Sequence, residues 1–330
     1  MICPICSSNN VKVLHSGLFD DRYGCPDIVD IKRCRNCFHC FASPNIDPAW
    51  VSSLYETYYG RETINVDEVS KSALSSTKSS RLNRWIRGTN NLGQYYSPRT
   101  GKLLDVGTGD CQNLLEAKFL GIAGIGFDVD SNSSIIANSL GLDVRTGTRL
   151  TDVLRGNEFD WIQLNQVVEH YINPIQELQY LSPLINLEGK IFIATPNSRS
   201  LFRIIFRSKW INWHVPYHQH HFSKKSIRIC LENAGFKAVK IRTVTPLVWS
   251  QIQIATLGQK STIGEPSKFW KTPDAEMSSK WQKSLSIRIG LRKIRTVVRI
   301  MISGLLIIAG RLVDSIRLGD SLVVIAEKSK

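Results

Sequence analysis

The sequence predicts an α/β protein. Its centre is a Rossmann-like, doubly wound, mostly parallel sheet, with a small N-terminal zinc ribbon before it and a helical C-terminal insertion within it. Three observations carry this. From Lys102 short apolar runs alternate with helix-like segments, the first run ends in an acid and a glycine turn, and two Cys-x2-Cys pairs stand in the first 37 residues. Strands that alternate with helices build parallel βαβ units.

Residues 1–45 come first. Cys3 and Cys6 form one pair and Cys34 and Cys37 the other, with 27 residues between them. Thiolates at that spacing make two knuckles able to close a tetrahedral, structural Zn²⁺ site, and the gap has room for a hairpin. Cys25, His39 and Cys40 lie nearby as substitute ligands, while Cys111 and Cys230 read as core or loop residues. Residues 46–100 read as a helical linker or lid, with helical stretches at Trp50–Tyr59 and Ser79–Leu92.

The core is expected over residues 101–244. Its strands are Lys102–Val106, Gly124–Asp128, Leu142–Thr146, Phe159–Asn165 and Lys190–Thr195. Helices fit at Gln112–Leu120, Ser133–Leu140 and Pro174–Leu184. Lys237–Val244 and Ser321–Lys328 read as a closing antiparallel pair. Residues 245–318 form the insertion between them, and residues 319–330 the final strand.

Composition sets the class. With 42% hydrophobic and 21% charged residues in 330, the chain is globular and not disordered. It opens with cysteines and not with a basic start and an apolar run, so a reducing, cytoplasmic setting is expected. The net charge of +14 is concentrated late, since residues 201–330 hold 23 basic and 7 acidic side chains. That suits an anionic partner, either a membrane surface or a phosphate-bearing substrate, or else a solvated basic face.

The cofactor loop is Leu103-Leu104-Asp105-Val106-Gly107-Thr108-Gly109-Asp110-Cys111. Glycines there let the backbone approach a ligand at the carboxyl end of a strand. Asp128 ends the next strand and can accept both hydroxyls of a ribose. A dinucleotide would require a third glycine where Gln112 stands. An acid beside the turn suits a cationic amino-acid tail better than a pyrophosphate.

Further along stand Thr146-Gly147-Thr148, the run Phe159 to His170 ending in Val168-Glu169-His170, and Ala194-Thr195-Pro196-Asn197. Pro216-Tyr217-His218-Gln219-His220-His221-Phe222 and Ala234-Gly235-Phe236 follow. With the loop, this ordered series resembles the class I S-adenosylmethionine (SAM)-dependent methyltransferases, in particular the ubiquinone-biosynthesis-like group whose members often carry an N-terminal zinc ribbon. The resemblance covers residues 1–244 and the last strand. It implies that Asp105, Gly107 and Gly109 line the methionine end of SAM, that Asp128 holds its ribose, that Thr148 lies near the adenine, and that Asn165 sits between cofactor and acceptor. It departs at Cys111, where the family loop carries a third glycine. A side chain there either crowds the cofactor or points away.

Methyl transfer needs an aligned nucleophile and, for a hydroxyl or acidic carbon, a base. His218 and His220, which match the family's Pro-x-His-x-His pattern, and His170 are the candidate bases. A histidine metal site is a lesser alternative. Arg288, Arg292, Arg295 and Arg299 repeat at helical spacing and would form one basic face, leading into an apolar run at 300–310. Only 11 residues separate Arg299 from Arg311, too few to span a bilayer. The segment reads as an interfacial helix on an anionic membrane or as a helix packed on the sheet.

The expected function is therefore methyl transfer to a small molecule or glycan, such as a sugar or a lipid-linked envelope precursor in polysaccharide biosynthesis. The ribbon segment is slightly acidic and lacks a basic, aromatic stripe, which argues against nucleic acid. An RNA or protein methyltransferase docking through ribbon and tail is the alternative, as is a non-catalytic protein on the same fold.

Overall fold

The computed structural model describes residues 1–43, 48–59, 64–89, 100–270 and 292–329, without the side chains of Pro48, Ser52 and residues 292–300. The expected basic face of Arg288, Arg292, Arg295 and Arg299 lies outside what is described.

The N-terminal strands are β1 (Val11–Phe19), β2 (Ile28–Cys34) and β3 (Cys40–Ser43). They pair antiparallel in sequence order, so the residues between the cysteine pairs form the hairpin that the gap allows. The central sheet holds β4 (Lys102–Val106), β5 (Ala123–Asp128), β6 (Val144–Thr146), β7 (Phe159–Asn165) and β8 (Ile185–Pro196). A two-residue strand, β9 (His220–His221), joins the N-terminal sheet. β10 (Phe236–Val244) and β11 (Ser321–Lys328) complete the central one.

The central order is β10-β11-β8-β7-β4-β5-β6. β4 to β8 run parallel, and β11 is inserted antiparallel between β8 and β10, with Val324 opposite both Ile193 and Ile241. This is the Rossmann-like, doubly wound fold expected. Strand order reverses outward from β4, so the carboxyl ends of β4, β5 and β7 face the crevice where open α/β sheets bind ligands. The inner strands are apolar on both faces because both are covered. Leu104, Ile162, Ile193 and Val324 bury against one layer, and Leu103, Phe192, Ala194 and Val323 against the other.

The helices follow local signals. α1 spans Pro48–Thr57 and α2 Val66–Thr77, the latter capped by Asn65, whose carbonyl oxygen accepts the amides of Asp67 and Glu68. α3 (Arg81–Arg87) stops at Gly88 in the left-handed region, short of the expected Ser79–Leu92. α4 (Gln112–Phe119), α5 (Asn132–Leu140) and α6 (Leu150–Val153) cover β4 to β6. α7 (Pro174–Leu181) starts with proline in its first turn, and its expected last residues, Ser182–Leu184, instead tighten into a 3₁₀ turn holding Pro183. α8 is Leu201–Phe206, and α9 (Lys224–Asn233) opens with a Ser223–Ser226 capping box. The insertion contributes α10 (Leu247–Thr256) and the long α11 (Arg292–Ser315).

The ribbon is fused to the core. β3 pairs with β9, placing Cys40 opposite His221 and Phe41 opposite His220. Cys3, Ile5, Cys34 and Cys37 share one buried cluster with Phe222, Ile227, Cys230 and Leu231. The Ser223 hydroxyl donates to the Cys37 carbonyl over 2.7 Å.

Candidate active site

The β4 loop is built from its own backbone. Gly107 sits at φ +68°, where a Cβ would meet Val167 Cγ2 at 2.5 Å, so no other residue fits. Gly109 sits at φ +56° with open space where a Cβ would point. Its amide donates to Asp128 Oδ2 over 2.8 Å, and Asp130 donates to the other oxygen over 3.0 Å. Asp128 therefore ties the end of β5 to the glycine turn. Cys111 also lies in the left-handed region, at φ +64°. Its Sγ is 3.5 Å from the Ser133 carbonyl and buries against Ile136 and Ala137 of α5. The thiol is fully buried and also lies 3.9 Å from the Gly109 carbonyl of the loop itself.

Asp105 is buried at the end of β4. Gln163 of β7 donates to its Oδ1 over 2.7 Å, while Oδ2 is buried with no hydrogen-bond partner. Burial raises its pKa to about 7, against the lowering effect of Gln163. Asn165 Oδ1 and Gln166 Nε2, where β7 ends, are likewise buried and unpaired. Native structures seldom leave such atoms unsatisfied. Unpaired acceptors at two adjacent strand ends fit an ammonium-bearing amino-acid tail. Gln163 was not singled out in the sequence, because a glutamine inside a strand gives no signal of its own. Thr148 is exposed after β6.

The acceptor side is made by the segment after β7 and by the His-rich loop. Glu169 holds that loop, its carbonyl accepting the amides of Gln219 and His220 at 2.8 and 3.0 Å. Asp320 holds it from the other side, accepting from Ser200 Oγ, Trp210 Nε1 and Asn212 Nδ2. The Glu169 carboxyl is buried, with Thr195 donating to Oε2 over 2.9 Å and Oε1 unpaired. Burial raises its pKa to about 8, so it is mostly protonated at neutral pH.

His170 and His218 meet beside it with ring centroids 4.7 Å apart, and ligand atoms of Glu169, His170 and His218 all lie within 4.8 Å of one another. His218 Nδ1 is 3.0 Å from the Asn212 carbonyl. A carbonyl only accepts, so the proton is on Nδ1 and Nε2 bears the lone pair. Burial holds the His218 pKa well below its ordinary value, and the nearby His170 lowers it further. Tyr55 of α1 is bonded to His170 Nδ1 at 2.7 Å. That residue too was invisible in the sequence, since α1 lies 115 positions before its partner.

The structure separates His220 from this pair. Its Nε2 faces the Ile172 carbonyl at 3.3 Å and so carries the proton, while Nδ1 bonds to His39 Nε2 at 2.9 Å. The lone pair a base would use is spent on the ribbon, and His220 joins the two sheets.

The four cysteines Cys3, Cys6, Cys34 and Cys37 come together with all sulfurs within 4.8 Å, and all are free thiols. The Cys3–Cys37 and Cys6–Cys34 separations are each 3.6 Å. A tetrahedron with Zn–S bonds of about 2.3 Å has edges of about 3.8 Å, so this donor set fits zinc. Cys25, Cys40 and His39 stand outside it, with contacts to Asp27, Phe38 and His220.

No described helix is long and apolar enough to cross a membrane. On α11, Met301, Leu305, Ile308 and Leu312, with Ile316 just beyond, are each 59–65% exposed at intervals of three or four residues. They form one apolar stripe. Elsewhere on the helix Arg311 donates to the carbonyls of Trp85 and Thr245 and pairs with Asp314 at 2.9 Å.

Residues 78–241 match the methyltransferase domain family. A mitochondrial ubiquinone biosynthesis O-methyltransferase of Dictyostelium discoideum is 31% identical over 107 residues, 32% of this chain and 33% of that protein. The match thus spans about a third of that relative's length. Among solved structures, a SAM-dependent methyltransferase from Archaeoglobus fulgidus is 17% identical, with 84% of this chain and all of that chain covered at a TM-score of 0.42. The plantazolicin methyltransferase BpumL in complex with SAH is also 17% identical, with 86% and 91% covered and a TM-score of 0.40.

Proposed function

We propose that this chain, whose core belongs to the class I SAM-dependent methyltransferases, moves a methyl group from SAM to an oxygen of a small molecule or glycan. The observation that carries the proposal is the set of unpaired buried acceptors, Asp105 Oδ2 and Asn165 Oδ1, beside the open turn at Gly109.

SAM supplies a methyl group on a sulfonium, ready for in-line displacement. Asp105 binds the ammonium of its amino-acid tail, and ionises as that charge arrives. Gly107 and Gly109 admit the tail, Asp128 takes the ribose hydroxyls, and Thr148 borders the adenine. Asn165 fixes the boundary with the acceptor. His218 Nε2 accepts the acceptor's proton as the methyl group moves, with His170 beside it to shape the pocket. The low pKa of His218 keeps the ring neutral at pH 7 and weakens it as a base. Proton transfer is therefore expected to accompany methyl transfer and not to precede it. Zinc on the four N-terminal cysteines is structural, because four thiolates leave no open position.

A second reading has one specific support. Glu169 Oε1 is buried and unpaired beside His170 and His218, and the far atoms of the trio are held by Thr195, Tyr55 and Asn212. A divalent cation there would serve as a Lewis acid. Inductively coupled plasma analysis separates the readings: one zinc per chain supports the base alone, and a second bound metal supports the cation.

The apolar stripe of α11 and the basic C-terminal third together support a peripheral seat on an anionic membrane, which suits a lipid-linked sugar as acceptor. The enzymatic reading is tested by methyl transfer from radiolabelled SAM to a panel of sugars, sugar phosphates and lipid-linked sugars. Transfer to RNA or protein alone would replace it with the macromolecular reading.

A further inference from the structure

A cavity of about 370 Å³, at the lower end of the range for small-ligand pockets, is bounded on one side by His214. Three parts of the chain build it. The end of β1 and the turn after it bring Asp21 and Arg22, the loop after α8 brings Lys209 to Val215, and the insertion brings Thr256 to Ser261 and Trp270. It therefore exists because the ribbon and the insertion fold onto the same face of the core.

Its lining is specific. Trp210, Trp213 and Trp270 contribute indoles to its wall. The Arg22 guanidinium stacks 4.7 Å over the Trp270 ring and donates to the Ile211 carbonyl, so it is held in place. Trp270 Nε1 and His214 Nε2 are buried and have no hydrogen-bond partner. Lys209 stands exposed at the rim. The one acid among the described lining residues, Asp21, is shifted by burial towards its neutral form.

The inner wall is His214, which is held at φ +37°, a backbone region that non-glycine residues occupy at a cost. Its ring is 4.7 Å from that of His218, with Nδ1 3.4 Å from His218 Nε2. One residue thus separates the cavity from the proposed base.

We propose that this cavity is the acceptor subsite and that its ligand is a phosphorylated sugar. The proposal rests on the methyltransferase reading above. Three chemical facts select the ligand class. Indole faces pack against the C–H face of a sugar ring. A buried indole N–H left unpaired loses hydrogen bonding that a hydroxyl or phosphate oxygen restores and an apolar ligand does not. Arg22 and Lys209 favour an anion, with phosphate the natural match to a guanidinium fork, and disfavour a cationic acceptor. The volume excludes a folded macromolecule from the cavity. His214 then stands between the sugar and His218: its unpaired Nε2 would take the proton of the methylated hydroxyl while its Nδ1, 3.4 Å from His218 Nε2, passes a proton on to that base.

The test is calorimetric titration of the zinc-loaded full chain with α-D-glucose 1-phosphate, D-glucose and inorganic phosphate, each with SAM present. The expected result is that glucose 1-phosphate binds more tightly than either part alone. Arg22→Gln should weaken it by about tenfold or more, as loss of one charge-assisted hydrogen bond does. Trp270→Phe should weaken glucose and glucose 1-phosphate alike. SAM titrated into each variant reports on folding and on the cofactor site. If wild type binds SAM but shows no preference for glucose 1-phosphate, or if Arg22→Gln keeps that preference, the subsite proposal is overturned and the methyltransferase reading stands. If wild type fails to bind SAM, the methyltransferase reading fails on its own measurement.

Discussion

Gln163 donates a 2.7 Å hydrogen bond to one oxygen of the Asp105 carboxylate and leaves the other oxygen buried without a partner. The pair joins β7 to β4 at the centre of the sheet. It leaves a carboxylate oxygen that the fold itself does not satisfy, which supports the proposed role of Asp105 in holding a ligand.

This arrangement should make stability and cofactor binding oppose each other. Burial raises the Asp105 pKa from 3.8 to about 7. Below pH 4 the group is protonated folded or unfolded and has no effect. Between pH 4 and 7 the unfolded chain ionises it first, so this contribution to stability declines as pH rises. Asp105→Asn should therefore stabilise the fold at pH 8 by on the order of a few kcal/mol, raising Tm there, and leave Tm at pH 4 nearly unchanged. The same variant should bind SAM at least tenfold more weakly. Paired thermal melts and SAM titrations check both directions.

Cys111 occupies the place of the family's third glycine, with its thiol turned towards Ser133 and α5. Cys111→Gly relieves a left-handed non-glycine residue, worth about 1 kcal/mol, and loses a buried side chain worth about as much. SAM affinity should change less than about threefold. A larger gain in affinity would mean that the thiol does crowd the cofactor.

His218 and His220 should part under mutation. His218→Asn should abolish methyl transfer and leave the Kd for SAM unchanged. His220→Asn removes the bond to His39 between ribbon and core, and should lower Tm by several degrees, from the loss of about 1–2 kcal/mol. Equal loss of turnover in both, with unaltered melting, would contradict this division of roles.

How much could be read beforehand follows from the range of each interaction. β4, β7 and β11 have the bounds expected because each holds a short cluster of buried apolar residues, Leu103 and Leu104, Ile162 and Leu164, and Leu322 to Val324, that marks a strand covered on both faces. The cysteine pairs and the glycine turn were legible because spacing alone encodes their geometry. α2 was not, since its sequence is mostly polar and only Val69 and Ala73 bury. Tyr55, Gln163 and the His39–His220 bond stayed hidden because each depends on a partner far along the chain. His220 looked equivalent to His218 in the sequence, and only the pairing of β3 with β9 sets them apart.

Because the ribbon and the core share one buried cluster, zinc removal should be felt throughout. A chelator should release one zinc per chain and lower the single melting transition, and with it SAM affinity. Two transitions, with the second unmoved by chelation, would show an independent ribbon.

The α11 stripe gives a membrane prediction. Wild type should sediment with vesicles containing about a third phosphatidylserine, and less with neutral vesicles or in high salt. Leu305→Glu with Ile308→Glu should abolish sedimentation without changing SAM binding. A protein that dimerises through this stripe would instead change mass in analytical ultracentrifugation and ignore the vesicles.

The central claim is that the ends of β4, β5 and β7 form a SAM site, and calorimetric titration of the folded, zinc-loaded chain with SAM tests it most directly. The account predicts one site per chain, lost in Asp128→Ala, which removes both the ribose contact and the tie to Gly109. Absence of binding to wild type, or undiminished binding to Asp128→Ala, would contradict it.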